Sequence, residues 1–118
     1  MNIWLAIFLG GGLGSLSRFG VTKLVLSQWP GKFPMGTLTA NVLSCIVMGL
    51  VLGLFAHKIT SPELRALILV GFCGGFSTFS TFSLETFQLM ETGHYLVAVA
   101  NVLISLFACV LVLWLLVR

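Results

Sequence analysis

The sequence contains very little charge. Of its 118 residues, 6 are Lys or Arg and 3 are Asp or Glu, so 8% of the chain is charged and 58% is hydrophobic. Soluble domains carry about 25% charged residues, and a surface facing water would be short of them here. The shortage excludes a soluble globular domain and predicts a protein embedded in a membrane.

Combinations of reactive side chains are also missing. Cys45, Cys73 and Cys109 are isolated from one another, without the CxxC spacing or the neighbouring histidines that are typical of a metal site. The sequence has no Ser-His-acid arrangement, phosphate-binding loop or dinucleotide-binding fingerprint. We therefore predict that the protein is not an enzyme.

The uncharged stretches are long. Residues 3–17, 34–56, 66–84 and 95–117 contain no Asp, Glu, Lys or Arg, and a helix needs about 20 mainly apolar residues to cross a bilayer. The first stretch continues beyond Arg18 in apolar sequence. We predict an all-α membrane protein, one domain over residues 1–118, with four transmembrane helices at about 3–27, 34–56, 63–89 and 95–117.

The positive charges are balanced across the predicted membrane. If the N-terminus lies on side A, three basic residues lie on side A and three toward side B: Lys58, Arg65 and Arg118 against Arg18, Lys23 and Lys32. An excess of Lys and Arg on the cytoplasmic side normally sets the orientation. Either a partner or a single dominant charge orients the chain, or it inserts both ways and pairs with its inverted copy. We favour the second interpretation, an antiparallel dual-topology homodimer.

The third predicted span has an unusual composition. Residues 71–83 read Gly-Phe-Cys-Gly-Gly-Phe-Ser-Thr-Phe-Ser-Thr-Phe-Ser, in the middle of an uncharged stretch. Gly in a helix costs about 1 kcal/mol relative to Ala, so we predict a helix broken near the bilayer midplane. Such a break is tolerated only inside protein or beside a watery cavity. Its free carbonyls suit a cation and its free N–H groups suit an anion.

Aromatic and hydroxyl side chains alternate after this break. Phe79 and Phe82 are three residues apart and share one helix face. The edge of a phenyl ring is the positive part of its quadrupole, so rings can line an anion path edge-on, although Phe at this spacing more often only packs. The interleaved Ser and Thr residues exceed what helix packing alone requires.

Other polar residues fall inside the predicted spans. Asn41 needs a hydrogen-bond partner, and Thr37 lies one turn earlier on the same face; the pair either bonds another helix or lines a pore. Ser105 occupies a similar position in the last span. Arg18 either extends toward the membrane surface or concentrates anions at a pore mouth. Glu85 is either a solvated charge at the interface or a residue of the pore entrance.

Three segments resemble the Fluc (CrcB) family of fluoride channels. They are Gly-Gly-Xaa-Gly-Xaa-Xaa-Xaa-Arg-Phe ending at Phe19, Gly-Thr-Leu-Thr-Ala-Asn ending at Asn41, and Gly-Phe-Cys-Gly-Gly-Phe-Ser-Thr-Phe-Ser-Thr-Phe ending at Phe82. The resemblance extends over the whole chain in length and number of spans. It implies a dual-topology homodimer with two pores that passively exports fluoride across the inner membrane of a prokaryotic cell.

The resemblance also implies roles for individual residues. The pore and anion-binding positions it assigns are Asn41, Phe79, Phe82, Ser80, Thr81, Ser105, Thr37, Arg18 and Glu85. Gly74 and Ser77 match the positions whose backbone carbonyls surround a structural Na⁺ at the dimer centre. Ser77 stands where Thr is common, a change that leaves a carbonyl ligand unaffected.

Two other functions are compatible with four short spans. A small multidrug-type exporter driven by protons requires an ionisable residue inside the membrane, but the first helix has no acid and Glu85 lies at the edge of its span. A non-transporting assembly subunit is favoured by the GxxxG spacing of Gly10 and Gly14. That function does not account for the polar, glycine-rich third span.

Overall fold

The computed structural model describes residues 2–118, and all the regular structure in that range is helical. Helix α1 spans Ile3–Gln28 and α2 spans Met35–Gly53. The next segments are α3 (Pro62–Arg65), a π-helix (Ala66–Phe72), α4 (Cys73–Phe76) and α5 (Phe79–Glu91), followed by α6 (Tyr95–Val117).

Four stretches of helix are long and apolar enough to cross a membrane. They are Ile3–Gln28, Met35–Gly53, Pro62–Glu91 and Tyr95–Val117, with 26, 19, 30 and 23 residues. At about 1.5 Å per residue, even the shortest approaches the thickness of a bilayer core. The prediction of an all-α protein that passes the membrane several times is confirmed at this level.

The polarity of the chain is inverted relative to a soluble protein. Large apolar side chains cover the outside, and Trp4 and Leu96 are 84% and 83% exposed. Small and polar side chains are buried instead, and Asn101 is only 1% exposed. Hydrocarbon is a good solvent for the outer surface, whereas polar groups in lipid must be satisfied inside the protein.

The ends of the helices follow their sequence signals. The Asn2 side chain caps α1 by accepting a hydrogen bond of 2.7 Å from the Leu5 N–H. Ser61 caps α3 in the same way, with Pro62 in the first turn. Between α5 and α6 the chain turns at Gly93, whose φ of 84° lies in the left-handed region that favours glycine.

The loop between α1 and α2 meets the loop between α5 and α6. The Lys32 ammonium donates a hydrogen bond of 2.6 Å to Nε2 of His94, and Nδ1 of the same ring lies 2.9 Å from the Thr92 hydroxyl. Both loops therefore lie at one end of the bundle. Their contact is consistent with the up-and-down order assumed in the charge count.

Helix α1 packs backbone-to-backbone against the third span. A Cβ atom at Gly10 would collide with the Leu67 carbonyl oxygen and lie 2.9 Å from the Phe72 nitrogen. At Gly14 it would collide with the Phe72 carbonyl oxygen and lie 2.8 Å from the Phe76 nitrogen. The GxxxG spacing thus allows close contact between helices of the same chain.

Replacing Gly14 with Ala is expected to destabilise the protein. The added methyl group meets backbone atoms that cannot rotate away, and overpacking of this kind costs about 1–3 kcal/mol in free energy of unfolding. Gly12→Ala is the matched control, because a Cβ at Gly12 has nothing within 4 Å. Thermal unfolding in detergent measures both variants, and equal stabilities would contradict the packing described for α1.

Candidate functional site

The helical hydrogen bonding of the third span is interrupted at two residues. Ser77 (φ −80°, ψ 159°) and Thr78 (φ −152°, ψ 122°) are both extended, between the end of α4 at Phe76 and the start of α5 at Phe79. The Ser77 N–H and hydroxyl both donate to the Cys73 carbonyl, at 3.0 and 2.8 Å. The predicted break was explained by Gly74 and Gly75, but both of these residues remain within α4.

A single side chain holds the extended residue Thr78 in place. The Thr78 N–H donates a hydrogen bond of 2.8 Å to Oδ1 of Asn41, and Nδ2 of Asn41 donates one of 3.4 Å to the Thr78 carbonyl. The amide of α2 thus pairs with both backbone groups of Thr78, much as a neighbouring strand would. Of the two roles considered for Asn41, the bond to another helix is present in the structure.

The interruption leaves backbone groups without partners. The Thr78 hydroxyl caps α5 by accepting a hydrogen bond of 3.2 Å from the Thr81 N–H. Within residues 2–118, the Phe79 and Ser80 N–H groups make no hydrogen bond, and neither do the carbonyls of Gly74 and Ser77. Unpaired N–H groups at the start of α5 form a site that favours anions.

One surface of α5 combines phenyl rings with hydroxyl groups. The ring centroids of Phe79 and Phe82 are 5.8 Å apart, with 42° between the ring planes. Phe79 is 79% exposed, and Ser80 and Thr81 beside it are exposed as well. The hydroxyls of Thr78 and Ser80 lie 3.4 Å apart. Exposed hydroxyl groups next to rings distinguish this surface from the apolar exterior of the other helices.

A chain of hydrogen bonds connects α6 to α5. The Ser105 hydroxyl donates to Oδ1 of Asn101 at 3.2 Å, and Nδ2 of Asn101 donates to the Thr86 hydroxyl at 2.9 Å. The Thr86 hydroxyl in turn donates to the Phe82 carbonyl at 2.8 Å. The network fixes the turn of α5 that carries Phe82 to the buried face of α6.

Thr37 and Glu85 lie close together at the contact of α2 with α5. The Thr37 side chain lies next to the Glu85 carboxyl group. Glu85 is half-buried, and its Oε1 atom is buried without a partner among the described residues. Because Thr37 is one turn before Asn41 and Glu85 one turn after Phe82, this pair lies beside the Asn41–Thr78 contact.

Comparison with known proteins assigns the chain to a family. Residues 5–117 match the family described as CrcB-like protein, Camphor Resistance (CrcB). The chain belongs to the CrcB-like family. A relative from Coxiella burnetii named Fluoride-specific ion channel FluC is 45% identical, covering 98% of this chain and 94% of the relative. Proteins of the same name from Pseudomonas putida and Shewanella are 46% and 41% identical, covering 92% and 98% of this chain.

Most of the residues predicted for the CrcB-like chain come together around α5. Five of them lie close to Thr78: Asn41, Phe79, Phe82, Ser80 and Thr81. Next to this group lie Thr37 and Glu85. Ser105 is connected to the group through hydrogen bonds. Arg18 is half-buried on α1, and no hydrogen bond or ion pair within residues 2–118 joins it to the group.

Two residues of the candidate site were not predicted from the sequence. Thr78 provides the extended backbone and the cap of α5, and Thr86 connects Asn101 to Phe82. For Thr86 a signal was available, because a Thr four residues after a helical residue commonly donates to that residue's carbonyl. The role of Thr78 depends on Asn41, 37 residues earlier, and no local pattern reveals it.

Proposed function

We propose that this chain is one half of a fluoride-selective ion channel. Two copies in opposite orientation form an antiparallel dual-topology homodimer in the inner membrane of a prokaryotic cell. Fluoride leaves the cytoplasm passively through it, which lowers fluoride toxicity. The observation that carries the proposal is the interrupted third span, where exposed hydroxyls, phenyl rings and unpaired N–H groups meet on one surface. Family membership and the name of the relatives support fluoride as the ion.

Fluoride is small and strongly hydrated, so a pathway must replace its water with closely placed donors. The Ser80 and Thr81 hydroxyls and the free N–H groups of Phe79 and Ser80 supply such donors at the start of α5. Asn41 adds the second N–H of its amide, since Thr78 uses only one. All these groups are neutral, which allows an ion to bind without being trapped.

The phenyl rings guide the ion between the polar positions. The positive edges of Phe79 and Phe82 attract an anion only weakly, and their centroids are 5.8 Å apart, close enough for one ion to pass from ring to ring. Ser105, Thr37 and Glu85 extend the polar lining along α6, α2 and α5. Arg18 raises the concentration of anions near the mouth through its charge.

The polar surface of α5 supports the proposed dimer. Exposed hydroxyls at Ser80 and Thr81 are unfavourable against lipid, and a second copy packed on this surface covers them. The balance of three positive charges on each side allows the two copies to insert in opposite directions. In this assembly the extended residues Ser77 and Thr78 lie near the bilayer midplane, and the helix of the third span is broken there.

The opposite orientation of the two copies is testable with added charge. His57→Lys combined with Thr60→Lys adds positive charge to one end of the bundle, and Gln28→Lys combined with Gln88→Lys adds it to the other end. Each double variant expressed alone is expected to insert one way and to carry no fluoride. Expressed together, the two should restore flux. Full flux from either double variant alone would contradict the antiparallel dimer.

The carbonyls of Gly74 and Ser77 fit a structural Na⁺. Neither accepts a hydrogen bond within residues 2–118, and Gly74 is exposed. Each chain supplies two such oxygens, so two inverted copies supply four. The bound ion would hold the two copies together at the dimer centre. Replacing Na⁺ by N-methylglucamine should therefore weaken dimerisation, and an unchanged dimer would count against this site.

A voltage experiment separates the channel from the alternative functions. In liposomes, a K⁺ diffusion potential set with valinomycin should drive fluoride through the protein in the direction of the voltage and reverse with it. A proton-coupled exporter would respond to an imposed pH gradient instead, because its ionisable residue must load and release protons. An assembly subunit would carry no ion under either condition.

A further inference from the structure

Cys45 and Cys109 lie on the facing surfaces of α2 and α6. On α2, Cys45, Gly49 and Gly53 recur every four residues and share one helix face. Gly49 and Gly53 both pack against Leu116 of α6, and a Cβ on Gly49 would lie 2.8 Å from the Leu116 Cβ. Cys109 precedes Leu116 by two helical turns and so lies on the same side of α6.

The two thiols lie next to each other across this contact. Both are free cysteines, and both are half-buried. Cys73 is different, because it is 1% exposed and its thiol donates to the Ser44 carbonyl at 3.6 Å. The chain therefore contains one facing pair of thiols and one separate cysteine.

We propose that Cys45 and Cys109 form a two-thiol binding site for Hg²⁺. Mercuric chloride reacts with the two thiols to give a linear mercury bis-thiolate, while two protons and two chloride ions leave. Thiolates prefer soft metal ions. Hg²⁺ with two thiolates is electrically neutral, whereas Ag⁺ or Cu⁺ would leave a negative charge in a medium of low dielectric constant. The environment inside the membrane therefore selects the divalent soft ion.

Both thiols are half-buried, so they are partly accessible from the lipid side. A groove of about 450 Å³ opens between α2 and α6 one helical turn away, lined by Met48, Leu52, Val110, Leu113 and Trp114 among others. Neither cysteine lines this groove, but Met48 is one turn after Cys45 and Leu113 is one turn after Cys109. Mercuric chloride is an uncharged molecule and reaches this side of the protein through the bilayer.

Occupation of the site should stop ion flow. Cys45 is one turn after Asn41 and Cys109 one turn after Ser105, so bound mercury joins the two helices that carry these residues. This consequence rests on the proposed function. Mercury binding itself does not depend on it, and the two are measured separately.

The binding test titrates the purified full-length protein with mercuric chloride in detergent. Free thiols and the ultraviolet absorption of mercury thiolates are followed, with excess glutathione as a competitor. We expect one mercury ion per chain with the loss of two of the three thiols. Cys45→Ala and Cys109→Ala should each weaken binding at least about 100-fold, the gain that two linked contacts give over one. Cys73→Ala is the matched control and should bind like the unmodified protein.

Several results would overturn the proposal. They are binding of one mercury per thiol, equal weakening by all three Cys→Ala variants, and complete removal of mercury by glutathione. Circular dichroism confirms that each variant is folded before titration.

In liposomes, flux blocked by mercury and restored by a dithiol supports the link to the pathway, and unchanged flux with mercury bound refutes it. A protein that carries no fluoride before mercury is added would count against the proposed function, and the binding result would still decide the site.

Discussion

Replacing Phe82 with Ile should abolish fluoride efflux while the dimer still assembles. Ile keeps an apolar side chain in the half-buried position but has no ring edge to offer the anion. Each loss of about 1.4 kcal/mol in the stabilisation of the passing ion slows its passage about tenfold. Fluoride that has lost its water has few other groups to contact beside Phe82. Efflux from liposomes measures the effect, and size-exclusion chromatography measures assembly.

Phe87→Ile is the matched control for this variant. Phe87 is on the same helix and is 56% exposed, and within residues 2–118 it makes no ring pair with Phe79 or Phe82. We expect its flux to equal that of the unmodified protein. Undiminished flux in Phe82→Ile would remove the pore role from this ring.

Replacing Asn41 with Leu should destabilise the protein and stop flux together. The substitution removes both bonds to Thr78, which is 9% exposed, and leaves its N–H without a partner. A buried unsatisfied donor costs about 1–3 kcal/mol in free energy of unfolding. Denaturant unfolding in detergent measures this cost. An unchanged stability would contradict the claim that Asn41 stabilises the extended residue Thr78.

Asn41→Asp distinguishes the structural role of Asn41 from its role in conduction. A carboxylate oxygen still accepts the hydrogen bond from the Thr78 N–H, so Asn41→Asp, unlike Asn41→Leu, leaves that donor satisfied. The negative charge repels an anion nearby, so fluoride flux should stay low. If Asn41→Asp instead conducted like the unmodified protein, the amide would have no place in the pathway.

The four candidate spans were predictable because the membrane requires long uncharged stretches. Helix α6 occupies Tyr95–Val117, the uncharged stretch itself, and Ser61 with Pro62 begins the third span as their chemistry indicates. In lipid the backbone must satisfy its own hydrogen bonds, so hydropathy alone largely determines helix placement. Hence the class of fold could be predicted from the sequence.

The internal structure of the third span could not be predicted in the same way. Its π-helix, Ala66–Phe72, has the composition of any apolar helix, and its backbone packs against Gly10. A π-helix depends on such tertiary packing rather than on local propensity. Gly75 stays helical because it provides close contact with Gly11 and Ser15, where a Cβ would lie 2.5 Å from the Gly11 carbonyl oxygen.

Whether a contact of the site could be predicted depends on how far apart its two residues are in the sequence. Phe79 and Phe82 share a face through their spacing of three, which the sequence shows directly. The bonds from Asn41 to Thr78 and from Asn101 to Thr86 join residues 37 and 15 positions apart. Such pairings depend on how the helices pack, so the sequence shows that Asn41 needs a partner without showing which.

The most direct test of the central claim is ion efflux from liposomes that contain the purified protein. Fluoride and chloride electrodes follow the two ions in parallel samples, with valinomycin to balance the charge. The channel proposed here predicts rapid release of fluoride and retention of chloride. Well-folded dimer that releases no fluoride, or that releases chloride equally fast, would contradict a fluoride-selective channel.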